Sequence, residues 1–287
     1  MKADFFKPVK IAQAVMIQHT LFSLPFAAAA LVLESKGVLP YEKMLWIFLA
    51  IFGGRNAANA LNRLIDHALD AKNPRTQKRD LPSGRLKRWD LMVFTSLCLI
   101  LLVFSTFMLN TLCLFLLPLA LIMIFSYSYT KRFTYLCHYI LGLTVAIAPM
   151  GTLLALNGAF KVSFFVISSA VALWVAGFDI IYATQDIQFD RNEGLYSIPA
   201  RFGAKKALFV ASVSHLLSFL LLLLWGYLYS VGIIYYIGCV VVGVLLICES
   251  ALVAPEKLKH VTTASYHINE IVSVLFFVFV VLEVYLT

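Results

Sequence analysis

The chain has 287 residues, of which 61% are hydrophobic and 13% charged, and its mean hydropathy is +0.88. This composition is far too apolar for an ordinary soluble domain, so it indicates a membrane protein. Lysine and arginine number 23 against 15 acidic residues; such an excess is typical of cytoplasmic loops facing anionic lipid headgroups, which argues against nucleic acid as a partner.

Nine apolar runs are long enough to span a bilayer, since a helix needs about 20 residues to cross a hydrocarbon core of ~30 Å. The first follows a basic N-terminus, but it extends to Leu33 without a clear small-residue cleavage site, so we expect a retained span and no signal peptide. In chain order the runs are Ile11 to Leu33, Lys43 to Ile65, Leu91 to Leu109, Leu112 to Tyr129, Leu136 to Leu156, Ser163 to Asp186, Ala207 to Tyr229, Gly232 to Val253 and His267 to Leu286.

The basic residues alternate between the loops in a way that predicts orientation. They concentrate before the first run and after the second, fourth, sixth and eighth, and loops of this kind stay in the cytoplasm. We therefore expect a multi-pass protein of the cell (inner) membrane, with the N-terminus and the loops after the acidic clusters in the cytoplasm. An odd number of spans then places the C-terminus outside.

A weak internal repeat relates the two halves of a single domain, residues 1–156 and 157–287. The second and sixth runs both end in carboxylates, and basic residues, proline and glycine follow each of them. We therefore predict an all-α fold of two related four-helix halves plus a ninth helix, with both acidic ends facing one central cavity.

The second run ends in a stripe of oxygen-bearing side chains. Asn62, Asp66 and Asp70 recur every four residues, which places them on one face of a helix. Mg²⁺ prefers such oxygens and typically uses one or two carboxylates together with substrate phosphates and water. Taken alone, the stripe is equally consistent with a solvated or salt-bridged helix end.

A second acidic cluster lies at the end of the sixth run, and its members share one helical face. It contains Asp179, Asp186 and Asp190, and Asp179 lies inside the apolar run. A carboxylate at that depth costs on the order of 3 kcal/mol to insert, so we expect it to face a polar cavity or a cation; pairing with a lysine or arginine of another helix is the structural alternative. Two acidic clusters that face each other would repel unless cations lay between them, and a bound diphosphate would also need neutralising. We therefore predict Mg²⁺ ions that bridge the clusters and a diphosphate.

Basic side chains near both clusters are candidates for phosphate binding. Arg75 and Arg79 follow the first cluster four residues apart, and Lys131 lies four residues after Tyr127. A guanidinium suits phosphate oxygens bidentately, although the positive-inside rule alone would also place basic residues here. We interpret Arg79 and Lys131 as functional. The residues that we interpret as topological are Lys72, Lys78, Lys87 and Arg88.

Arg55 is unusual because it lies within an apolar run, two helical turns before Asn62. Its charge requires an anion, and the sequence leaves open whether this is a protein carboxylate or a carboxylate or phosphate of a substrate. Asn59, one turn along, is placed to assist by hydrogen bonding. The histidines suggest no metal site, and we expect His138 and His267 at membrane interfaces as hydrogen-bonding residues.

At these residues the chain resembles the UbiA superfamily of intramembrane aromatic prenyltransferases. Residues 62–84 are similar to the family's first aspartate motif and its loop, 127–134 to its Tyr-x-x-x-Lys-Arg loop, and 179–190 to its second aspartate motif. Asp80 stands where a proline is usual and His67 where a basic residue is common, but neither departure removes a proposed ligand.

The resemblance implies nine transmembrane helices, a polyprenyl diphosphate donor, an aromatic acceptor and Mg²⁺ as cofactor. It assigns Mg²⁺ and diphosphate binding to Asn62, Asp66, Asp70, Asp186 and Asp190. It assigns phosphate oxygens to Arg75, Arg79 and Lys131, beside which we place Tyr127. We add Asp179 to the catalytic aspartates and expect Arg55 and Asn59 to bind the aromatic acid.

The resemblance is strongest to the 4-hydroxybenzoate polyprenyltransferases of ubiquinone and menaquinone biosynthesis. Residues 182–186 and 194–203 also resemble the branch that prenylates a dihydroxynaphthoate on the futalosine route to menaquinone, so the acceptor stays open. The predicted reaction is electrophilic aromatic substitution, in which Asp179 or a diphosphate oxygen removes the ring proton. A cation-coupled transporter is the rival, since carboxylates in spans also mark transport pathways, but the outer halves of these runs contain few polar residues.

Overall fold

The computed structural model describes residues 7–253 and 261–287, and helices dominate both ranges. Apolar runs of this length form helices in lipid because a helix satisfies its own backbone hydrogen bonds. The helices are α1 Lys7–Ala14, α2 Thr20–Glu34, α3 Tyr41–Ile65, α4 His67–Lys72, α5 Arg88–Phe107, α6 Thr111–Thr130, α7 Cys137–Asn157, α8 Val162–Ala183, α9 Ile187–Asn192, α10 Ile198–Tyr229, α11 Ile233–Leu252 and α12 Asn269–Leu286.

Eight helices in these two ranges are long and apolar enough to cross a membrane, and Phe22–Glu34 is a shorter apolar helix. The prediction of an all-α membrane protein with about nine spans is therefore confirmed. The first span differs from its prediction because it is not one helix. Met16 has φ 51°, in the left-handed region, which separates α1 from a 3₁₀ turn at Ile17–His19 and from α2.

Neither acidic cluster lies on one continuous helix, which corrects the sequence prediction. Asp66 (φ −90°, ψ 2°) lies between the end of α3 and the six-residue α4. Asp186 (φ −105°, ψ 8°) ends a 3₁₀ turn after α8 and precedes the six-residue α9. Both aspartates adopt the bridge region of φ/ψ space, which interrupts an α-helix. Asp66 and Asp186 thus have a similar backbone conformation between two helical segments. The internal repeat of the two halves stays a prediction.

Helix α8 runs through the centre of the molecule and is buried along most of its length. Its contact with α7 depends on Gly142, since a Cβ there would lie 2.1 Å from the carbonyl oxygen of Ala172. Helices α5 and α6 instead expose large apolar side chains such as Phe107 and Phe115, as expected of helices that face lipid. The arrangement brings the C-terminal end of α8 close to the N-terminal end of α7.

Candidate active site

A cavity of about 270 Å³ opens at the end of the bundle where α3 and α8 finish. Every site residue predicted from the sequence lines this one cavity, including those from the two distant acidic clusters. These residues are Arg55, Asn59, Asn62, Asp66, Asp70, Arg75, Arg79, Tyr127, Lys131, Asp179, Asp186 and Asp190.

Asp66 is the most enclosed carboxylate of the first cluster, at 3% exposure. It accepts hydrogen bonds from Asn62 Nδ2 at 2.9 Å, Lys131 Nζ at 2.6 Å and Arg132 Nη2 at 3.1 Å. Asp66 lies at the break after Ile65, and both of its cationic partners come from the segment directly after α6. Asp66 therefore already has the cationic partners that a buried carboxylate needs.

Asp70 pairs with Arg79, whose Nη1 lies 2.9 Å and 3.0 Å from the two carboxylate oxygens. Arg63 Nη1 is 4.0 Å from the same carboxylate.

Two other predicted site residues line the cavity but donate a hydrogen bond to a backbone carbonyl of the protein. The Tyr127 hydroxyl donates to the carbonyl oxygen of Ala58 at 2.9 Å, and Asn59 Nδ2 donates to the Val15 carbonyl at 3.0 Å.

Asp186 joins the second cluster to the loop that follows the first. Arg75 donates to it from Nε at 3.0 Å and from Nη2, and Asn73 Nδ2 donates at 2.9 Å. The guanidinium also lies over the Tyr182 ring, 4.8 Å from its centroid. Burial lowers the pKa of Arg75, but the bond to Asp186 outweighs it, so the net pKa is raised and the residue stays cationic.

Asp190 is held by the segment that starts α10. Ser197 caps this helix: its Oγ accepts from the backbone N–H of Ala200 and donates to Asp190 Oδ2 at 2.8 Å. The cap leaves the other Asp190 oxygen for a ligand.

The inner end of the cavity has mostly apolar walls, whereas its mouth is lined by the charged residues described above. Asp179 Oδ2 lies 2.6 Å from His138 Nδ1, so its partner is a histidine and not the lysine or arginine of the structural alternative. The buried Arg55 Nε has no hydrogen-bond partner among the described residues. The walls here are apolar and are formed by Phe22, Leu141, Val145, Val175 and Phe178.

Sequence reasoning missed several residues of the cavity. His138, expected at an interface, is 3% exposed and contacts Asp179, although no motif or spacing singles it out. Arg63 follows Asn62 within an apolar run, so its depth in the membrane was a signal that could have been used. Other missed residues that line the cavity and form hydrogen bonds include Asn73, Thr76, Ser128, Tyr182 and Ser197.

The carboxylates suit a metal that shares its ligands with a substrate. Within residues 7–253 and 261–287, no three side chains of His, Cys, Asp or Glu come together as a closed metal site. Mg²⁺ commonly takes only one or two carboxylates and completes its shell with phosphate oxygens and water. The cavity has spaced aspartates, the amide oxygen of Asn62 and several cations. This set fits a Mg²⁺–diphosphate pair better than a metal alone.

The fold and the cavity define a polytopic α-helical membrane protein with a charged site at one end of its bundle. A model of the UbiA prenyltransferase family matches residues 23–280. The chain therefore belongs to the UbiA prenyltransferase family, and the resemblance seen in its motifs is confirmed. As a member of this family it is an enzyme, a prenyltransferase.

Individual relatives agree with this assignment. A 4-hydroxybenzoate octaprenyltransferase of Marinobacter nauticus is 28% identical over 252 residues, 87% of this chain and 84% of its own length. The apo structure of a UbiA homologue from Aeropyrum pernix K1 has a TM-score of 0.84 at 30% identity, covering 93% of this chain and 98% of its own. A UbiA homologue from Archaeoglobus fulgidus bound to DMAPP and Mg²⁺ shares the fold, with a TM-score of 0.67 at 18% identity and coverage of 97% and 100%.

Proposed function

We propose that this enzyme transfers a polyprenyl group from polyprenyl diphosphate to a ring carbon of 4-hydroxybenzoate in quinone biosynthesis, with Mg²⁺ as cofactor. The observation that carries the proposal is the meeting of two acidic clusters and their cations around one cavity. Support for the acceptor comes from the curated relatives named 4-hydroxybenzoate octaprenyltransferase. Support for the donor and the metal comes from the homologue bound to DMAPP and Mg²⁺.

The mouth of the cavity is the proposed diphosphate site. Asn62, Asp66, Asp70, Asp186 and Asp190 would hold Mg²⁺, which supplies Lewis-acid stabilisation of the charge that develops on the leaving diphosphate. The cations that pair with these carboxylates would then turn to phosphate oxygens, since a guanidinium or ammonium bonds phosphate as well as carboxylate. They are Arg75, Arg79 and Lys131.

The inner end of the cavity is the proposed acceptor site. Arg55 carries a buried charge with an unpaired Nε, which the carboxylate of an aromatic acid would satisfy, and Asn59 lies one turn away. A dihydroxynaphthoate carries the same carboxylate and a phenolic hydroxyl, so it remains the second candidate acceptor. The apolar walls at this end exclude water that would otherwise capture the allylic cation.

The reaction follows from these positions. The bond between the allylic carbon and diphosphate breaks with its electron pair leaving on oxygen, and the ring carbon next to the phenolic hydroxyl bonds to the allylic carbon. Asp179 then takes the proton from that ring carbon, which restores aromaticity. The apolar residues behind Asp179, such as Val145 and Val175, favour this chemistry over the rival passage of a hydrated cation.

Substitution of the aspartates tests the proposal. Asp66→Asn and Asp190→Asn should each lower prenyl transfer by about 100-fold or more, because each removes charge that stabilises the leaving diphosphate. The assay uses membranes with labelled geranyl diphosphate, Mg²⁺ and either 4-hydroxybenzoate or dihydroxynaphthoate. The matched control is Asp80→Asn, since Asp80 pairs with Arg85 outside the cavity and should be dispensable.

Two results would count against the proposal. Undiminished transfer by the Asp66 and Asp190 variants would remove these residues from the site, and full activity in excess EDTA would remove the metal. Transfer to dihydroxynaphthoate but not to 4-hydroxybenzoate would correct the acceptor and leave the chemistry standing.

A further inference from the structure

His138 lies at the start of α7 and reaches Asp179 on the neighbouring α8. Its Nδ1 is 2.6 Å from Asp179 Oδ2. The histidine is 3% exposed, whereas the Asp179 side chain is 26% exposed. Both residues line the cavity, but the imidazole is the more enclosed of the two, so the carboxylate is the group that a substrate reaches.

The second ring nitrogen determines where the proton of His138 lies. The backbone N–H of Ile198 donates to His138 Nε2 at 3.4 Å, so Nε2 is the acceptor and Nδ1 carries the hydrogen. Nδ1–H consequently donates to Asp179 Oδ2. One carboxylate oxygen is occupied by this bond, and Oδ1 is left for the cavity.

The same backbone segment reaches the second acidic cluster. Ile198 is the first residue of α10, and Ser197 before it donates to Asp190. Gly142, one turn of α7 from His138, permits the approach of α8 that the 2.6 Å bond requires. His138 is thus fixed from two sides, by α8 and by the cap of α10.

We infer that His138 is a positioning residue for aromatic proton removal: through Nδ1–H it holds Asp179 with Oδ1 turned towards the ring carbon of the bound acceptor. This inference rests on the proposed function, since it assigns the base of that reaction. Neither a diphosphate oxygen nor a water takes the proton in this scheme. A fixed donor behind a carboxylate keeps its orientation and stabilises its anionic form until the proton arrives.

The step balances within the residues named. The arenium intermediate, formed when the ring carbon bonds to the allylic carbon, loses its proton to Asp179 Oδ1, and the electrons of the C–H bond return to the ring. His138 keeps its own proton on Nδ1 throughout. The protonated Asp179 later releases its proton to solvent as the products leave.

A pair of substitutions separates positioning from packing. His138→Asn keeps an N–H donor close to the place of Nδ1, whereas His138→Leu fills similar space without a donor. The Leu variant should lose about 100-fold in kcat, at the lower end of what a positioned base contributes. The Asn variant should recover most of this loss, and KM for geranyl diphosphate should stay unchanged in both.

Deuterium on the acceptor ring gives the decisive measurement. With 4-hydroxybenzoate deuterated next to the hydroxyl, the wild type should show an isotope effect on kcat near unity, because ring deprotonation follows the slower loss of diphosphate. In His138→Leu, and likewise in Asp179→Asn, deprotonation becomes slow and a primary isotope effect should appear. Binding of a non-reactive thiolo analogue of geranyl diphosphate checks that each variant is folded.

The outcomes are distinct. Equal losses in the Leu and Asn variants, or no isotope effect in His138→Leu, would overturn the inference. If the Leu variant fails to bind the analogue, the other two variants decide: no isotope effect in Asp179→Asn, or a large one in His138→Asn, would overturn the inference. Where the wild type accepts only dihydroxynaphthoate, the same measurements use that acid deuterated at its reacting carbon. No transfer to either acid by the wild type would overturn the proposed function, and the inference with it.

Discussion

At the scale of single residues, aspartates of both acidic clusters pair with basic residues from distant parts of the chain. Asp66 meets Lys131 and Asp186 meets Arg75, partners that are 65 and 111 residues apart in the chain. A single sequence shows the type of each residue and its depth in an apolar run. These suffice to identify candidate site residues, because a charged side chain within a membrane span is usually functional. The place of His138 in the cavity was not predicted, since a single histidine near a helix end has no periodicity or depth that separates it from an interfacial one.

Arg55 offers a test at this scale. Arg55→Met should raise KM for the aromatic acid by about 10- to 100-fold, because a buried charge-assisted bond to the carboxylate is lost. KM for geranyl diphosphate should stay the same, and steady-state kinetics in detergent measures both. Arg85→Met is the matched control, since Arg85 pairs with Asp80 away from the cavity. A rise in the donor KM alone would instead assign Arg55 to the diphosphate.

At the scale of helices, the spacing of the aspartates correctly predicted that the members of each cluster face the same side. The prediction that each cluster lies on one continuous helix was wrong. The chain keeps the helical spacing through Asp66 and Asp186 although both residues leave the α conformation. At both positions the carboxylate meets a cation of a distant segment, a contact that a hydrophobic pattern does not record. The interruption of the first span at Met16 escaped the prediction for the same reason, because the apolar run continues across it.

Gly142 tests how closely α7 and α8 must approach. Gly142→Ala should lower the free energy of unfolding by about 1–3 kcal/mol, since the new Cβ would meet a backbone oxygen that cannot move without moving α8. Thermal unfolding in detergent measures the loss, and activity should fall with it because His138 and Asp179 lie on these two helices. Gly151→Ala in the same helix is the control: its Cβ would have nothing within 4 Å, so stability should hold or rise slightly. Equal stability of both variants would show that the close approach is dispensable.

At the scale of the whole molecule, hydropathy was sufficient for the fold class and the approximate number of spans. The central place of α8 could not be read from it, because lipid-facing and buried helices in a membrane are similarly apolar. Convergence of the two acidic clusters was predicted only by assuming that the halves face each other. That assumption rested on the spacing and hydropathy of the two runs, and the repulsion between like charges predicted only that cations would lie between the clusters.

The prediction at this scale is the orientation of the chain in the membrane, and the positive-inside rule predicts which loops are cytoplasmic. A green fluorescent protein fused after Thr287 should be dark in a bacterial host, and alkaline phosphatase fused there should be active, because the rule predicts that the C-terminus lies outside. Fusions after Val253, one span earlier, should give the reverse pattern. Fluorescence from the fusion at Thr287 would place the C-terminus and the cavity mouth on opposite sides from those proposed.

The ion pairs around the cavity have a thermodynamic consequence for ligand binding. Among the described lining residues, five carboxylates face five arginines or lysines, so the resting chamber is formally electroneutral; they are Asp66, Asp70, Asp179, Asp186 and Asp190 against Arg55, Arg63, Arg75, Arg79 and Lys131. A divalent cation alone, or an isoprenoid pyrophosphate alone, would leave uncompensated charge in a poorly hydrated space. Each should therefore tighten the affinity of the other, and this linkage is reciprocal by necessity. Titrating one at fixed levels of the other would register the synergy as a shift in half-saturation.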